Sequence, residues 1–531
     1  MADKGKHFSH PLAKSHPMVV VALYIVTVLN LLGNVSRQLC NTVLQLLEVM
    51  LEEGLRCSGQ LKRDDVDAVF QNGFPKDVRG VRKTFKVEPE LIIYATCPNC
   101  SFIHPPMADD HGIKVYPARC HFKPYKDSNA CGANLLKSKV HNKESIRVPI
   151  RPYVMQSFGS FLGALYSREG VEEAIYRTTK SLATYKDGLW DINDGCIIWD
   201  LPGHDKKPFL NPEDPEGELR TVWSLSYDGF NPYQNKVAGK VASVGCIALA
   251  CLSLPPSLRY KAENLYLAAL DPIKPSGKKD PHNHWLLPVA EDLLKSYKTG
   301  RYFTRTNTCP KGRRTREVVV PVVNDLPASR KLIGAAGHSA NRFCSLCRVM
   351  KEDINNIDHK NWIRVTKEEY IAAADEWKAA SKAKRKSLYK ENGIRWSPLL
   401  LLPYWDPTQF VVTDGMHNLF LGLVKFHFRV LLGMNVPDIE EDDDGDSVPE
   451  RPPTEKEMSS ARETLAEGPS ANQLCKFRIP VLRMLCEERG VVEKVRQVGK
   501  RPKKKYFIKA LIVSATAMAL PSNALIASLG Y

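Results

Sequence analysis

The sequence predicts a mixed α/β protein, and three observations in its middle third predict it. Between residues 220 and 335 come three runs with strand character, "RTVWSLSYD", "ASVGCIALACLSLP" and "ENLYLAALDPI". A helical pattern, "HNHWLLPVAEDLLKSYK", separates them from a fourth strand, "REVVVPVVND", whose five valines make it apolar throughout. Helix-forming residues, "LPASRKLIG", follow at once.

The order strand, strand, strand, helix, strand, helix fits an RNase H-like core, in which three antiparallel strands precede a helix and a parallel strand. Around it the elements read as follows. Residues 1–90 form a helical N-terminal region. Its apolar stretch at 18–35, "MVVVALYIVTVLNLLGNV", is interrupted by Thr27 and Asn30. That leaves an uninterrupted run well short of the roughly 20 residues that cross a bilayer. It continues into the amphipathic "RQLCNTVLQLLEVMLEEGL", so a buried helical hairpin is expected. A signal anchor with Lys4, Lys6 and Lys14 before it is the competing reading, and no clear small-residue cleavage site follows.

Residues 91–147 are cysteine-bearing and rich in loops, and 148–219 are a helical linker region containing "PYVMQSFGSFLGALYS" and "GVEEAIYRTTKSLA". The core occupies 220–435, with a charged helical insertion at 365–395. Residues 436–470, which hold "PDIEEDDDGDSVPERPPTEKE", have the composition of an acidic disordered linker. A small helical unit at 471–515 and a divergent tail at 516–531 complete the chain. No internal repeat is present.

Lys and Arg number 75 against 59 Asp and Glu, a net charge of +16. That excess favours a polyanionic partner, nucleic acid first and an anionic membrane second. Fourteen cysteines in a long chain, several in CxxC pairs, point to a reducing compartment and metal binding rather than a disulfide scaffold. Cys97, Cys100, Cys120 and Cys131 supply the ligand count of a tetrahedral four-thiolate zinc site. "CPNC" is a tight knuckle; the second pair, with ten residues between, is looser, and His121 is a replacement ligand beside it. Bound zinc would fold a segment too poor in apolar residues to fold alone.

Asp228 ends the first core strand and Asp325 ends the valine strand. In the RNase H-like arrangement those strands are neighbours, so both carboxylates would meet at one edge of the sheet. Two such groups repel unless a cation lies between them, and hard Mg²⁺ or Mn²⁺ suits oxygen ligands. A pair of such ions about 4 Å apart activates a nucleophile and stabilises the leaving oxygen in phosphodiester attack. Asp-Gly and Asn-Asp are also ordinary turn formers, which is the competing reading.

Four phrases then bear on the choice. "SLSYDGFNPYQN", "CLSLPPSLRYKAENLYLAAL", "NDLPASRKLIGAAGHSANRFCSLC" and "LPYWDPTQFVVTDGMHNLFLGL" occur in one order. Together they resemble the transposases of CACTA (En/Spm) DNA elements in their fungal form, from about residue 17 to about 512. The resemblance implies an RNase H-like DDE recombinase that cuts and joins DNA at element ends with divalent metal, in the nucleus, with homo-oligomer formation a further expectation. Asp228 in "YDGFNP" matches the family's first acidic position and Asp325 in "NDLPA" its second. Asp414 and His417, in "TDGMHNLF", match a word near the family's active site and take a supporting role. The third acid of the family, a glutamate in a phrase resembling "FPFERYNG", has no counterpart in this sequence. Truncation is the expected cause, and two aspartates alone would hold the metals poorly. In related recombinases a pair like Cys344 and Cys347 joins two histidines near that glutamate to bind zinc; His338 and His359 are the nearest candidates here.

The unit at 471–515 reads as helix, basic loop, helix and resembles a SAP-type DNA-binding module. Arg501, Lys503, Lys504 and Lys505 are its expected phosphate contacts, each steepening the salt dependence of binding. The same basic tract also reads as a nuclear localisation signal or as a solvated loop. Two functions are therefore carried forward: a CACTA-type transposase, and a non-catalytic DNA-binding or regulatory protein derived from one.

Overall fold

Apolar spacing at the N-terminus closes into a helical hairpin. The structure, a computed structural model, describes residues 7–9, 12–13, 15–58, 74–110, 112–125, 127–141, 144–182, 188–210, 217–231, 244–271, 281–434, 452–467, 471–491 and 504–519. Pro17 opens α1 (Pro17–Leu31), where its missing N–H costs nothing, and α2 (Arg37–Ser58) returns alongside. Asp77 caps α3 (Val78–Thr84) by accepting from the Gly80 N–H at 2.9 Å. Val19, Leu23 and Val26 pack with Cys40, Leu44, Val78 and Val81 in one core, as the amphipathic pattern requires. No helix among the described residues is long and apolar enough to cross a membrane.

Thirteen strands follow among the described residues: β1 (Leu91–Thr96), β2 (Ile103–His104), β3 (Met107–Ala108), β4 (Lys114–Val115), β5 (Leu136–His141), β6 (Glu144–Pro149), β7 (Pro152–Gln156), β8 (Leu219–Phe230), β9 (Val244–Cys251), β10 (Leu265–Leu270), β11 (Arg301–Phe303), β12 (Arg313–Asn324) and β13 (Val411–Thr413). Nine of them form one sheet in the order β11-β12-β8-β9-β10-β7-β1-β2, with β13 also pairing β12. β9 runs antiparallel to both β8 and β10, whereas β12 runs parallel to β8 and to β13. The carboxyl ends of β8, β12 and β13 therefore emerge side by side.

β12 is buried along nearly all of its length, and its second half, Val318 to Val323, is accordingly continuously apolar rather than alternating. Its one interruption is Pro321, which has no N–H for the ladder and lies where the β8 register shifts between Val319 and Val322. Trp285, Leu286, Val289 and Leu293 of a helix at His282–Lys298 pack with Trp223, Val318 and Val322 in the principal core. Numbered in chain order, α4 is Phe158–Tyr166, α5 Val171–Leu182, α6 His282–Lys298, α7 Leu326–Ile333, α8 Lys367–Ala379 and α9 Lys382–Asn392. The last two are the helical insertion expected at 365–395. Gly334 ends α7 in the left-handed region, and a Cβ there would strike the carbonyl oxygen of Arg395.

The sequence reading differs from the structure at residues 148–156. The expected helix is a strand, β7, which inserts between β10 and β1 and extends the sheet. Tyr153 and Met155 are buried while their neighbours are not, a period of two that ends where Ser157 caps α4.

The second compact unit covers Met434–Tyr531. Within it, α10 (Glu455–Ala466), α11 (Ile479–Glu488) and α12 (Lys504–Ala519) share a core of Met458, Leu465, Leu482, Leu485, Phe507 and Leu511. Residues 455–466 were expected to be linker and are instead a helix. Thr454 and Glu457 make a reciprocal capping box, and Met458, Ala461 and Leu465 form its buried stripe. The acidic run at 435–451 lies outside the described residues.

Candidate functional site

Asp228 occupies the end of β8, exposed, one residue beyond buried Tyr227. Asp325 follows the last residue of β12 and caps α7, its Oδ1 accepting from the Ala328 N–H at 2.7 Å. Asp414 follows the last residue of β13. A single residue ties the three ends together. Asn324 Oδ1 accepts from the Tyr227 N–H at 2.5 Å, and the Asn324 backbone carbonyl accepts from the Asp414 N–H at 2.8 Å. Asn324 also immediately precedes Asp325. The backbone ladder between β8 and β12 ends at Leu225 and Val322, so the Asn324 side chain continues the pairing where the backbones stop.

The charges converge as well. His417 Nδ1–H donates to Asp414 Oδ2 at 2.5 Å, and the Met416 N–H donates to Asp414 Oδ1 at 3.0 Å. The His417 hydrogen bond, then that of Met416, lowers the Asp414 carboxyl below its ordinary value. The Asp414 hydrogen bond raises His417, helped by the negative charges of Asp414, Asp325 and Asp228. Two aspartates far apart in sequence thus act on one imidazole. Asp228 Oδ1 accepts from its own Gly229 N–H at 2.7 Å. Among the described residues, one oxygen of Asp228 and one of Asp325 make no hydrogen bond. Asp228, Asp325, Asp414 and His417 do not draw their ligand atoms into one close metal-holding group, as Cys97, Cys100, Cys120 and Cys131 do.

Residues 212–393 match the family model described as Transposase family tnp2. The match covers about a third of the chain. No curated protein matches the chain. The match supports a transposase of the CACTA (En/Spm) type, as the ordered phrases led one to expect, and the family implies DNA as partner. The transposase segment contains Asp228 and Asp325 and ends before Asp414 and His417.

Before the transposase segment lies the four-cysteine cluster, the sole group of this kind among the described residues. All four sulfurs lie within 4.8 Å of one another. Cys97 and Cys131 Sγ are 3.7 Å apart, and Cys100 and Cys120 Sγ 3.6 Å. Four thiolates about 2.3 Å from one tetrahedral zinc would stand about 3.8 Å apart, so the residues fit a metal such as zinc. The Asn99 and Cys100 N–H groups both donate to Cys97 Sγ at 3.4 Å, the geometry of the knuckle. The Cys100 thiol's hydrogen bond, with those N–H groups, lowers Cys97 to about 4; burial lifts Cys120 to about 11. His121, expected as a spare ligand, does not join. Buried His104 does approach, its Nε2 3.4 Å from Cys120 Sγ, and His121 rests edge-on against its ring.

The second cysteine pair has no such company. Cys347 and Cys344 Sγ are 3.1 Å apart, but among the described residues no third His, Cys, Asp or Glu completes a metal group there. His359 packs against Trp362 instead, and His338 does not join the pair. In the C-terminal unit, Lys504 Nζ donates to the Cys475 carbonyl at 2.6 Å, so its ammonium is held by its own unit. Arg501 and Lys503, and the side chain of Lys505, lie outside the described residues.

Asn324 is the residue the sequence reading missed. Its place directly before Asp325 was visible, but its bond to Tyr227 depends on the register of two strands separated by a long stretch of chain.

Proposed function

We propose that this chain is a DNA-binding, transposase-like protein of the DDE type, with an RNase H-like core that carries two of the three acidic metal ligands, Asp228 and Asp325, and is catalytically incomplete without the third. The tnp2 match supports the family, and the order β10-β9-β8-β12-β13, with α6 before β12, supports the core. The observation that carries the site is the Asn324 clip, which joins three strand ends that each carry an aspartate or lead directly into one.

Asp228 and Asp325 would each offer an oxygen to the ion, while the Gly229 and Ala328 N–H groups fix the orientation of the two carboxylates. Bound Mg²⁺ or Mn²⁺ would supply the activation of water or a 3′-hydroxyl and the stabilisation of the leaving oxygen. Asp414 and His417 play the supporting part, the imidazolium tempering the repulsion among the three carboxylates. The four-cysteine cluster takes structural Zn²⁺. The protein would act in the nucleus, where its DNA lies, with self-association a further part of this reading.

Mn²⁺-dependent nicking of duplex DNA carrying element termini tests this. Weak nicking by the intact chain that disappears in Asp228→Ala and in Asp325→Ala is the expected result. Nicking that survives both substitutions removes the site. DNA binding without any nicking favours the non-catalytic, regulatory reading.

A further inference from the structure

We propose that the ribbon formed by β5 and β6 is a DNA-contacting element that lays its basic faces into a groove of duplex DNA, separately from the carboxylate site. The inference rests on DNA being the partner. It does not depend on whether Asp228 and Asp325 cut it.

The first observation is exposure. Residues 137–140 and 144–147 are all exposed, so both faces of the ribbon stand in solvent. A lone two-stranded ribbon is marginal in water, yet this one keeps a full register from Leu136 opposite Pro149 to His141 opposite Glu144. Its base explains that. Leu135 is fully buried in the cysteine core and its carbonyl accepts from the Ile150 N–H at 2.8 Å, so the thiol cluster grips both strands at their root.

The second observation is charge. Lys137 and Lys139 lie two apart and share one face with their cross-strand partners Val148 and Ile146. Arg147, opposite Ser138, serves the other face. No carboxylate among the described residues pairs with Lys137, Lys139 or Arg147. From residue 111 to 151 the sequence carries nine Lys and Arg against two Asp and Glu, close to half of the net +16 of the chain. An apolar residue also stands clear of the core: Val140 is 73% exposed.

Dimensions complete the argument. Six residues of strand extend about 20 Å at about 3.4 Å each. The major groove is about 12 Å wide and admits a two-stranded ribbon. Ser138, Val140, Ser145 and Arg147 share one face and would turn toward the bases and one groove wall, while the long side chains of Lys137 and Lys139 would reach from the outer face to phosphates at the groove rim. An acidic protein would also be drawn to the charge, but it offers no reason for cations on both faces of a thin ribbon.

The test uses the intact protein and a fluorescein-labelled duplex, with affinity measured by anisotropy over a series of salt concentrations. The Lys137→Gln/Lys139→Gln/Arg147→Gln variant removes three phosphate contacts. Each contributes about 0.9 to the slope of log K against log salt, so the slope should fall by 2 to 3, and affinity near 0.15 M salt by about a hundredfold. Lys137→Arg/Lys139→Arg should keep both, and the far-UV spectra of all variants should match the parent. An Asp228→Ala/Asp325→Ala protein should bind with the parental slope whatever happens to its nicking, so failure of the nuclease reading remains distinguishable. A slope that changes by less than about one unit in the glutamine variant, or a parent protein that does not bind duplex DNA, overturns the proposal.

Discussion

Replacing Asn324 with alanine should loosen the ends of β8, β12 and β13 together. Asn324 is 5% exposed, and its Oδ1 is the acceptor for the Tyr227 N–H beyond the last backbone pair of β8 and β12. Tyr227 is itself 8% exposed, so water does not readily replace the lost acceptor. A buried donor left without a partner costs about 1–3 kcal/mol. Urea unfolding of the intact protein, followed through the fluorescence of buried Trp223 and Trp285, reads that loss. Asn324→Asp separates the two parts of the role. It keeps an acceptor for Tyr227 and adds a fourth negative charge to the strand ends, so its stability should fall in chelator and recover with Mn²⁺. An alanine variant as stable as the parent to within about 0.3 kcal/mol would refute the clip, since that is well under the penalty for an orphaned donor.

Other consequences follow from the same contacts. His417 should titrate above its ordinary 6.5, and Asp414→Asn should return it toward that value, as read by NMR of the imidazole. The charged pair of His417 and Asp414 should stabilise the protein fully below 6.5 and lose its effect as pH rises through the raised His417 value. At the acid end the contribution of Asp414, whose ordinary value is 3.8, should persist until pH falls through its lowered one. Glu172→Ala should cost about 3–5 kcal/mol, because it removes both the carboxylate 3.3 Å from Arg313, which is 3% exposed, and the acceptor of the Thr308 N–H. Cys120→Ala should release bound metal and raise protease sensitivity near residues 97–135 without melting the sheet, since those thiols and Leu135 are the local core.

Much of the core was legible because its signals are local. The valine run of β12 and the helix of 282–298 declare themselves by composition and period, and both stand where the sequence placed them. The pairing of the Asp228 and Asp325 strands followed from element order alone, and β8 and β12 are indeed neighbours. β7 was misread because "PYVMQ" is too short to show its period before the helix that follows, and only its pairing with β1 on one side and β10 on the other makes it a strand. The helix at 455–466 was masked by the acidic run before it; its buried stripe is Met458, Ala461 and Leu465, three residues spread among charged ones. The basic ribbon passed unnoticed for a different reason. Its lysines look like ordinary surface charge until the structure shows both faces open.

Mn²⁺ binding to the intact protein, measured by titration calorimetry or by the loss of the free-ion electron paramagnetic resonance signal, tests the shared carboxylate site most directly. Saturable binding that Asp228→Ala and Asp325→Ala each abolish, and that the four-cysteine variants leave in place, is the predicted result. Equal Mn²⁺ affinity in the parent and in both aspartate variants would contradict it.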